Sequence, residues 1–299
     1  MKNNALKGGL LVALGAASYG VLTTFVKLAY EEGYTVQEVT FSQMALGFLC
    51  LLLINFFYKG KKSSSTVKVT STHILQLVTA GTTLGLTSIF YYLAVKYVSV
   101  SIGIVLLMQS VWMGVVLDVI RSKEKPSFLK ILAVIIILSG TVLATNILFS
   151  DIKVSSLGIL YGLLAALSYT ITIYTSNTVA KELPSITRSK WMMLGGLIIV
   201  SCITAPALTE NFNVAIFLKW GPILALFGTV LPPLLMTTGM PKINIGLGVI
   251  ITSIELPTAV FSAYLLLNET VSIYQWLGIA LILTSIVVMN LKKAAPKKF

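Results

Sequence analysis

Few residues in this sequence are equipped for chemistry, because only 11% are charged and most of those sit in short clusters. Glu255 stands apart, near the middle of an apolar run and two residues before Pro257. A carboxyl in such a place costs about 2.5–3.5 kcal/mol at the centre of a membrane helix, so it is expected to hold a proton or to meet a cation. Pro257 cannot donate to the carbonyl of Ser253, which predicts a kink beside the acid. Gln109 and Trp112 lie three residues apart and share a helix face. Together they offer a donor, an acceptor and a flat apolar wall. Among the other aromatics, Tyr91 and Tyr169 fall deep within apolar runs, whereas Tyr30, Tyr97, Trp220 and Trp276 fall near run ends, as an interfacial belt does. The candidate binding set is therefore Glu255, Gln109, Trp112, Tyr91 and Tyr169, with Pro257, Pro232 and Pro233 as candidate hinges. Lys27 and Asp118 lie nearer run ends and read as anchors or ion pairs, with Arg121 close to Asp118.

Metal, cofactor and enzyme chemistry find no footing. His73 is the sole histidine, and Cys50 and Cys202 read as small packing residues inside apolar runs. Zinc-hydrolase HExxH, phosphate-binding loop and GxSxG patterns are missing, so neither an enzyme nor an ATP-driven pump is expected, and no cofactor.

The elements that must position these groups are apolar runs near the length needed to cross a ~30 Å hydrocarbon layer as a helix. Ten can be read, at about 6–28, 37–58, 72–94, 99–120, 128–148, 156–180, 187–207, 216–240, 244–267 and 271–291. The expected fold is an all-α membrane protein with ten transmembrane helices. No run alternates as a barrel strand does. The net charge of +12 could suggest nucleic acid, but its placement argues otherwise. With ten spans, one side carries eighteen cations, among them Lys59, Lys61, Lys62, Arg121, Lys125, Arg188 and Lys242; the other carries Lys96, Lys153 and Lys219. Short loops obey a positive-inside rule, so both termini are expected to be cytoplasmic, with the basic loops meeting anionic lipid rather than nucleic acid. Lys2 and Lys7 precede the first run, which is nevertheless too long for a cleaved signal and ends in Lys27.

An internal repeat is visible. Gly8 through Tyr19 resembles Gly158 through Tyr169, and Ile102-Gly103-Ile104-Val105 parallels Leu247-Gly248-Val249-Ile250. Glu124 with Ser127 parallels Glu269 with Ser272. The halves are 1–150 and 151–299 with five expected spans each, and an odd number inverts the second copy. Inverted repeats are characteristic of secondary transporters, whose sites lie near the midplane at interrupted helices. Pro232-Pro233 interrupts the eighth run, and Gly81 and Gly85 mark its counterpart.

Three stretches carry a family resemblance. Ser18-Tyr19-Gly20 with Phe25-Val26-Lys27, Ile254-Glu255-Leu256-Pro257 with Leu267-Asn268-Glu269, and Gln275-Trp276-Leu277-Gly278 resemble the drug/metabolite transporter superfamily, EamA type. The first half departs from it with Gln109-Ser110-Val111-Trp112, where the family often has a proline. The resemblance implies a multi-pass bacterial inner-membrane transporter that works by alternating access. It implies export of small metabolites such as amino acids, with proton-coupled export of organic cations or drugs, or a non-transporting membrane protein, as alternatives. The expected partners are a small-molecule substrate, a coupling proton and membrane lipid, and the working unit is expected to be a monomer.

Overall fold

A computed structural model describes residues 2–59, 68–98, 100–147, 155–208, 212–268 and 270–293. Lys61, Lys62, Ser64, Asp151, Lys153, Glu210 and Glu269 lie outside them. The described residues form helices α1 (Lys2–Glu31), α2 (Val36–Lys59), α3 (Ser71–Tyr97), α4 (Val100–Leu107), α5 (Ser110–Ser122), α6 (Phe128–Ala144), α7 (Ser156–Thr178) and α8 (Ser185–Leu208). There follow α9 (Ile216–Lys219), α10 (Gly221–Ala225), a π-helical segment Leu226–Val230, α11 (Leu231–Gly239), α12 (Ile245–Thr252), α13 (Glu255–Leu266) and α14 (Ile273–Lys293). No strand occurs among the described residues.

Among the described residues, eight helical stretches are long and apolar enough to cross a membrane. The fifth and tenth expected spans appear as the shorter apolar helices Phe128–Ala144 and Ile273–Met289. At 1.5 Å per residue, a 17-residue helix such as α6 is about 26 Å long, a few ångströms under the usual hydrocarbon thickness. Leu10, Leu14, Phe56, Phe57, Leu160 and Val287 are exposed on the outside, while Ser42, Ser168, Thr170, Ser189 and Thr237 are buried inside. This is the distribution of a bundle solvated by lipid, where small polar residues hold helices together.

The heaviest packing crosses from one half of the chain to the other: α3 lies against α7 and α8, α6 against α14, α2 against α8, α5 against α12, and α1 against α11, α12 and α13. Glycines set the closest approaches. A Cβ on Gly81 would overlap the carbonyl of Met192, and one on Gly195 would overlap that of Val78. Gly81 and Gly85 are thus contact points on an unbroken α3, not the interruption expected from the sequence.

The interruptions fall elsewhere, and two of them match. Between α4 and α5, Gln109 N–H donates to Leu106 O, Val111 to Met108 O and Met113 to Gln109 O. Between α12 and α13, Ile254 N–H donates to Ile251 O, Leu256 to Ser253 O and Thr258 to Ile254 O, the same pattern 145 residues later. Both copies tighten to i−3 bonds here, and in each a side chain adds a donor to a carbonyl before the break. Gln109 Nε2 donates to Val105 O at 3.0 Å, and Ser253 Oγ donates to Ile250 O at 2.6 Å. Pro257 is only the third residue of α13, where a helix needs no donor. The proline-free twin shows that the break does not depend on it.

The third interruption is made by proline. Leu231 N–H reaches back five residues to Leu226 O, and Pro232 and Pro233 offer no donors to the carbonyls before them. Phe227 O, left without a backbone partner, accepts from Ser18 Oγ of α1 at 2.8 Å.

Candidate functional site

The breaks and the π segment surround a cavity of about 480 Å³, within the range of small-molecule sites. Glu255 lies on its wall as the first residue of α13. Tyr169 of α7 donates to Glu255 Oε2 at 3.2 Å, and Tyr19 of α1 meets the Tyr169 ring edge-on, with centroids 6.4 Å apart. Tyr91 of α3 completes the aromatic surround and stacks obliquely on Tyr92, which in turn meets Tyr30 edge-on. Glu255 Oε1 accepts from no group among the described residues. A carboxylate with one oxygen turned to a cavity and tyrosine faces around it is suited to a cation, which both the charge and the ring quadrupoles attract. The wall also carries Lys27 of α1 and Gln43 of α2.

Gly20 brings α1 against this point. A Cβ there would overlap the carbonyl oxygen of Glu255 and stand 2.8 Å from Thr258 Cβ. Tyr19 and Glu255 therefore hold fixed positions relative to each other.

The cavity is lined mainly from one end of the bundle. Its lining comes from the outer stretches of α1, α3 and α4 and from Leu267, Val271 and Gln275, all toward the end opposite the N-terminus. Toward the other end the cavity is backed by the core. Met108, Val111, Met236, Leu247, Val249 and Leu256 form a buried floor. Beneath it Lys130 Nζ pairs with Asp118 Oδ2 at 2.6 Å, beside Gly246. Asp118 thus meets Lys130 rather than Arg121, which donates to Tyr174 Oη at 2.7 Å.

Arg188, 1% exposed, donates to three backbone carbonyls: Ser176 O at 2.8 Å, Val179 O at 3.0 Å and Thr237 O at 2.6 Å. Those carbonyls end α7 and lie near the end of α11, where helix dipoles favour a cation. At the end opposite the N-terminus, Lys219 and Trp220 both donate to Glu32 at 2.8 Å. The Lys219 hydrogen bond holds the exposed Glu32 carboxyl below the usual carboxylate range.

Of the residues singled out from the sequence, Glu255, Tyr91 and Tyr169 come together on the cavity wall. Gln109 and Trp112 are not among the residues that line it. Trp112 Nε1 donates to Gln109 Oε1 at 3.0 Å, the Gln109 amide caps Val105 O, and the indole is 40% exposed on the outside of the bundle. The sequence reading also passed over Gln43 and Tyr19 as site residues; an amide in the middle of an otherwise apolar run was the available signal for Gln43. Among the described residues no cluster of three or more His, Cys, Asp or Glu is placed to hold a metal.

Comparison with known proteins fits this geometry. One crystal structure of a protein superposes with a TM-score of 0.73 over 93% of this chain and 98% of its own, at 13% identity, a likeness of fold alone. Among proteins of curated function none matches this sequence. The EamA-like transporter family profile matches twice, over residues 6–146 and 156–291, on either side of the junction between the repeats. Members of this family are transporters of small molecules and generally not enzymes. The chain belongs to the EamA-like transporter family and is a multi-pass membrane protein.

Proposed function

We propose that this protein is a secondary transporter that exports a small metabolite bearing a protonated amine, such as an amino acid, across a bacterial inner membrane by alternating access. The observation that carries this reading is Glu255, a carboxyl set among Tyr19, Tyr91 and Tyr169 on the wall of a cavity lined mainly from one end. Glu255 pairs with the substrate amine, and the tyrosines pack against its body.

In this reading the chain crosses the membrane ten times, with α6 and α14 as the short fifth and tenth spans. The halves 1–150 and 151–299 are inverted repeats, a view supported by the matching breaks 145 residues apart. Both termini are cytoplasmic by the charge of the loops, so the cavity faces the periplasm, and the Asp118–Lys130 and Arg188 contacts form the closed cytoplasmic gate. The monomer is the working unit, lipid covers the apolar exterior, and Pro257, Pro232 and Pro233 lie where helices flex as the halves rock. The Gln109–Trp112 pair braces the α4–α5 break.

A second reading, proton-coupled export of organic cations, is favoured by the tyrosine-rich wall, and there Glu255 exchanges a proton for the cation. Purified protein in liposomes, screened with radiolabelled amino acids, amines and organic cations with and without a pH gradient, separates the two. Saturable accumulation only with a gradient supports the second; gradient-independent exchange of an amine-bearing metabolite supports the first; no transport of any of them argues against both.

A further inference from the structure

Gln43 is a polar side chain in the cavity wall whose needs the protein does not meet, and the Tyr30 hydroxyl is another. It is 4% exposed, and its Oε1 has no hydrogen-bond partner among the described residues. An unpaired buried amide oxygen is costly, and natural structures seldom keep one without a use.

The surroundings are built around this amide. Thr229 Oγ1 donates to the backbone carbonyl of Gln43 at 2.9 Å and fixes α2 against the π segment. Gly228, within that segment, leaves the amide its space: a Cβ there would overlap Gln43 Nε2 and stand 2.9 Å from Cδ and 2.8 Å from Leu22. Leu22 and Gly20 belong to one turn of α1, and Gly20 packs on Glu255. Gln43 and Glu255 both belong to the lining of the cavity.

We infer that Gln43 is a specificity-determining residue whose amide oxygen accepts an N–H from the substrate ammonium held at Glu255, so that the site selects amines bearing N–H groups over quaternary ammonium ions. The inference rests on the amine-binding reading. Its chemistry is simple. Glu255 and the tyrosine faces attract any organic cation, methylated or not. Only a cation with N–H donors can also satisfy Gln43, and a trimethylated one leaves that oxygen buried and unpaired.

The test uses the full chain in detergent with two probes, phenethylamine and its N,N,N-trimethyl derivative, in wild type, Gln43→Leu, Gly228→Ala and Glu255→Gln. Wild type is expected to bind phenethylamine more tightly. Gln43→Leu should weaken phenethylamine about tenfold or more and leave the trimethyl probe nearly unchanged, the effect of one hydrogen bond to a charged group. Gly228→Ala, which keeps Gln43 but displaces its amide, should act in the same direction and reads the same contact should Gln43→Leu fail to fold. Equal losses for both probes, or no loss for either, overturn the inference while leaving the amine reading in place. Glu255→Gln should weaken both probes. Wild-type protein that binds neither overturns the amine reading and this inference with it.

Discussion

Replacing Gly20 by alanine tests whether α1 and α13 hold the site by direct contact. On helical propensity alone the change should stabilise α1 by roughly 1 kcal/mol. The structure predicts the opposite sign. The new methyl would overlap the Glu255 carbonyl and lie 2.8 Å from Thr258 Cβ and 2.9 Å from Ala259 N. Two of those three are backbone atoms near the start of α13, which cannot swing aside as a side-chain tip can. Restoring ordinary contact requires α1 to withdraw by about 0.5–1 Å, and such overpacking costs about 1–3 kcal/mol, which exceeds the gain in propensity.

Gly15 supplies the control on the same helix. Its methyl would meet Leu235 Cβ and Met236 Cγ at 3.3 Å and Pro232 O at 3.4 Å, so small adjustments suffice and Gly15→Ala should be neutral or slightly stabilising. The assay is thermal unfolding of both variants in detergent, with amine binding measured alongside. Gly20→Ala should lower the midpoint by a few degrees and weaken binding, because Tyr19 and Glu255 move apart, whereas Gly15→Ala should do neither. Gly20→Ala protein with wild-type melting and wild-type affinity would refute the reasoning.

Other predictions follow from the proposed gate, the hinges and the loops. Arg188→Met should cost about 3 kcal/mol or more, since three buried carbonyls lose their donor; Arg188→Lys should recover only part of this, and unchanged melting in either would contradict the account. Pro257→Ala should slow turnover more than it weakens binding if Pro257 is a hinge; turnover at the wild-type rate would show that it only shapes the first turn of α13. Pro232→Ala combined with Pro233→Ala should let the π segment relax toward α-helix, withdraw Phe227 O from Ser18 and slow exchange, as liposome counterflow would show. With Cys50 and Cys202 replaced by alanine, cysteine at Ser64 should resist an impermeant reagent in intact cells while cysteine at Asn211 reacts; labelling at Ser64 would reverse the topology.

The course of the chain was legible because crossing a lipid layer demands long apolar helices, and eight of the ten runs read from the sequence form them. The breaks were legible unequally. Pro232-Pro233 announces the π segment, and the Glu255–Pro257 pair points to the α12–α13 break, yet the α4–α5 break has neither proline nor glycine at Met108-Gln109. It is a shift in hydrogen bonding that only the repeat, aligned residue by residue, could have located. The hydrogen bond from the Gln109 amide to Val105 O at this break was hidden for the same reason. Arg188 read as a loop cation because its three carbonyl partners come from residues 176, 179 and 237, brought together only by packing. Glu255, Tyr91 and Tyr169 stood out in the sequence because depth in an apolar run does not depend on tertiary contacts, and all three line the cavity.

Counterflow of a radiolabelled amine into liposomes, wild type against Glu255→Gln at matched amounts of folded protein, tests the central claim most directly. Loss of the charge-assisted hydrogen bond should weaken apparent affinity about tenfold to a hundredfold at every pH if the carboxyl pairs with the amine. If Glu255 carries the coupling proton instead, exchange should persist and only gradient-driven accumulation should vanish. Glu255→Gln protein with unchanged affinity and unchanged dependence on pH would contradict both, and with them the assignment of this cavity as the transport site.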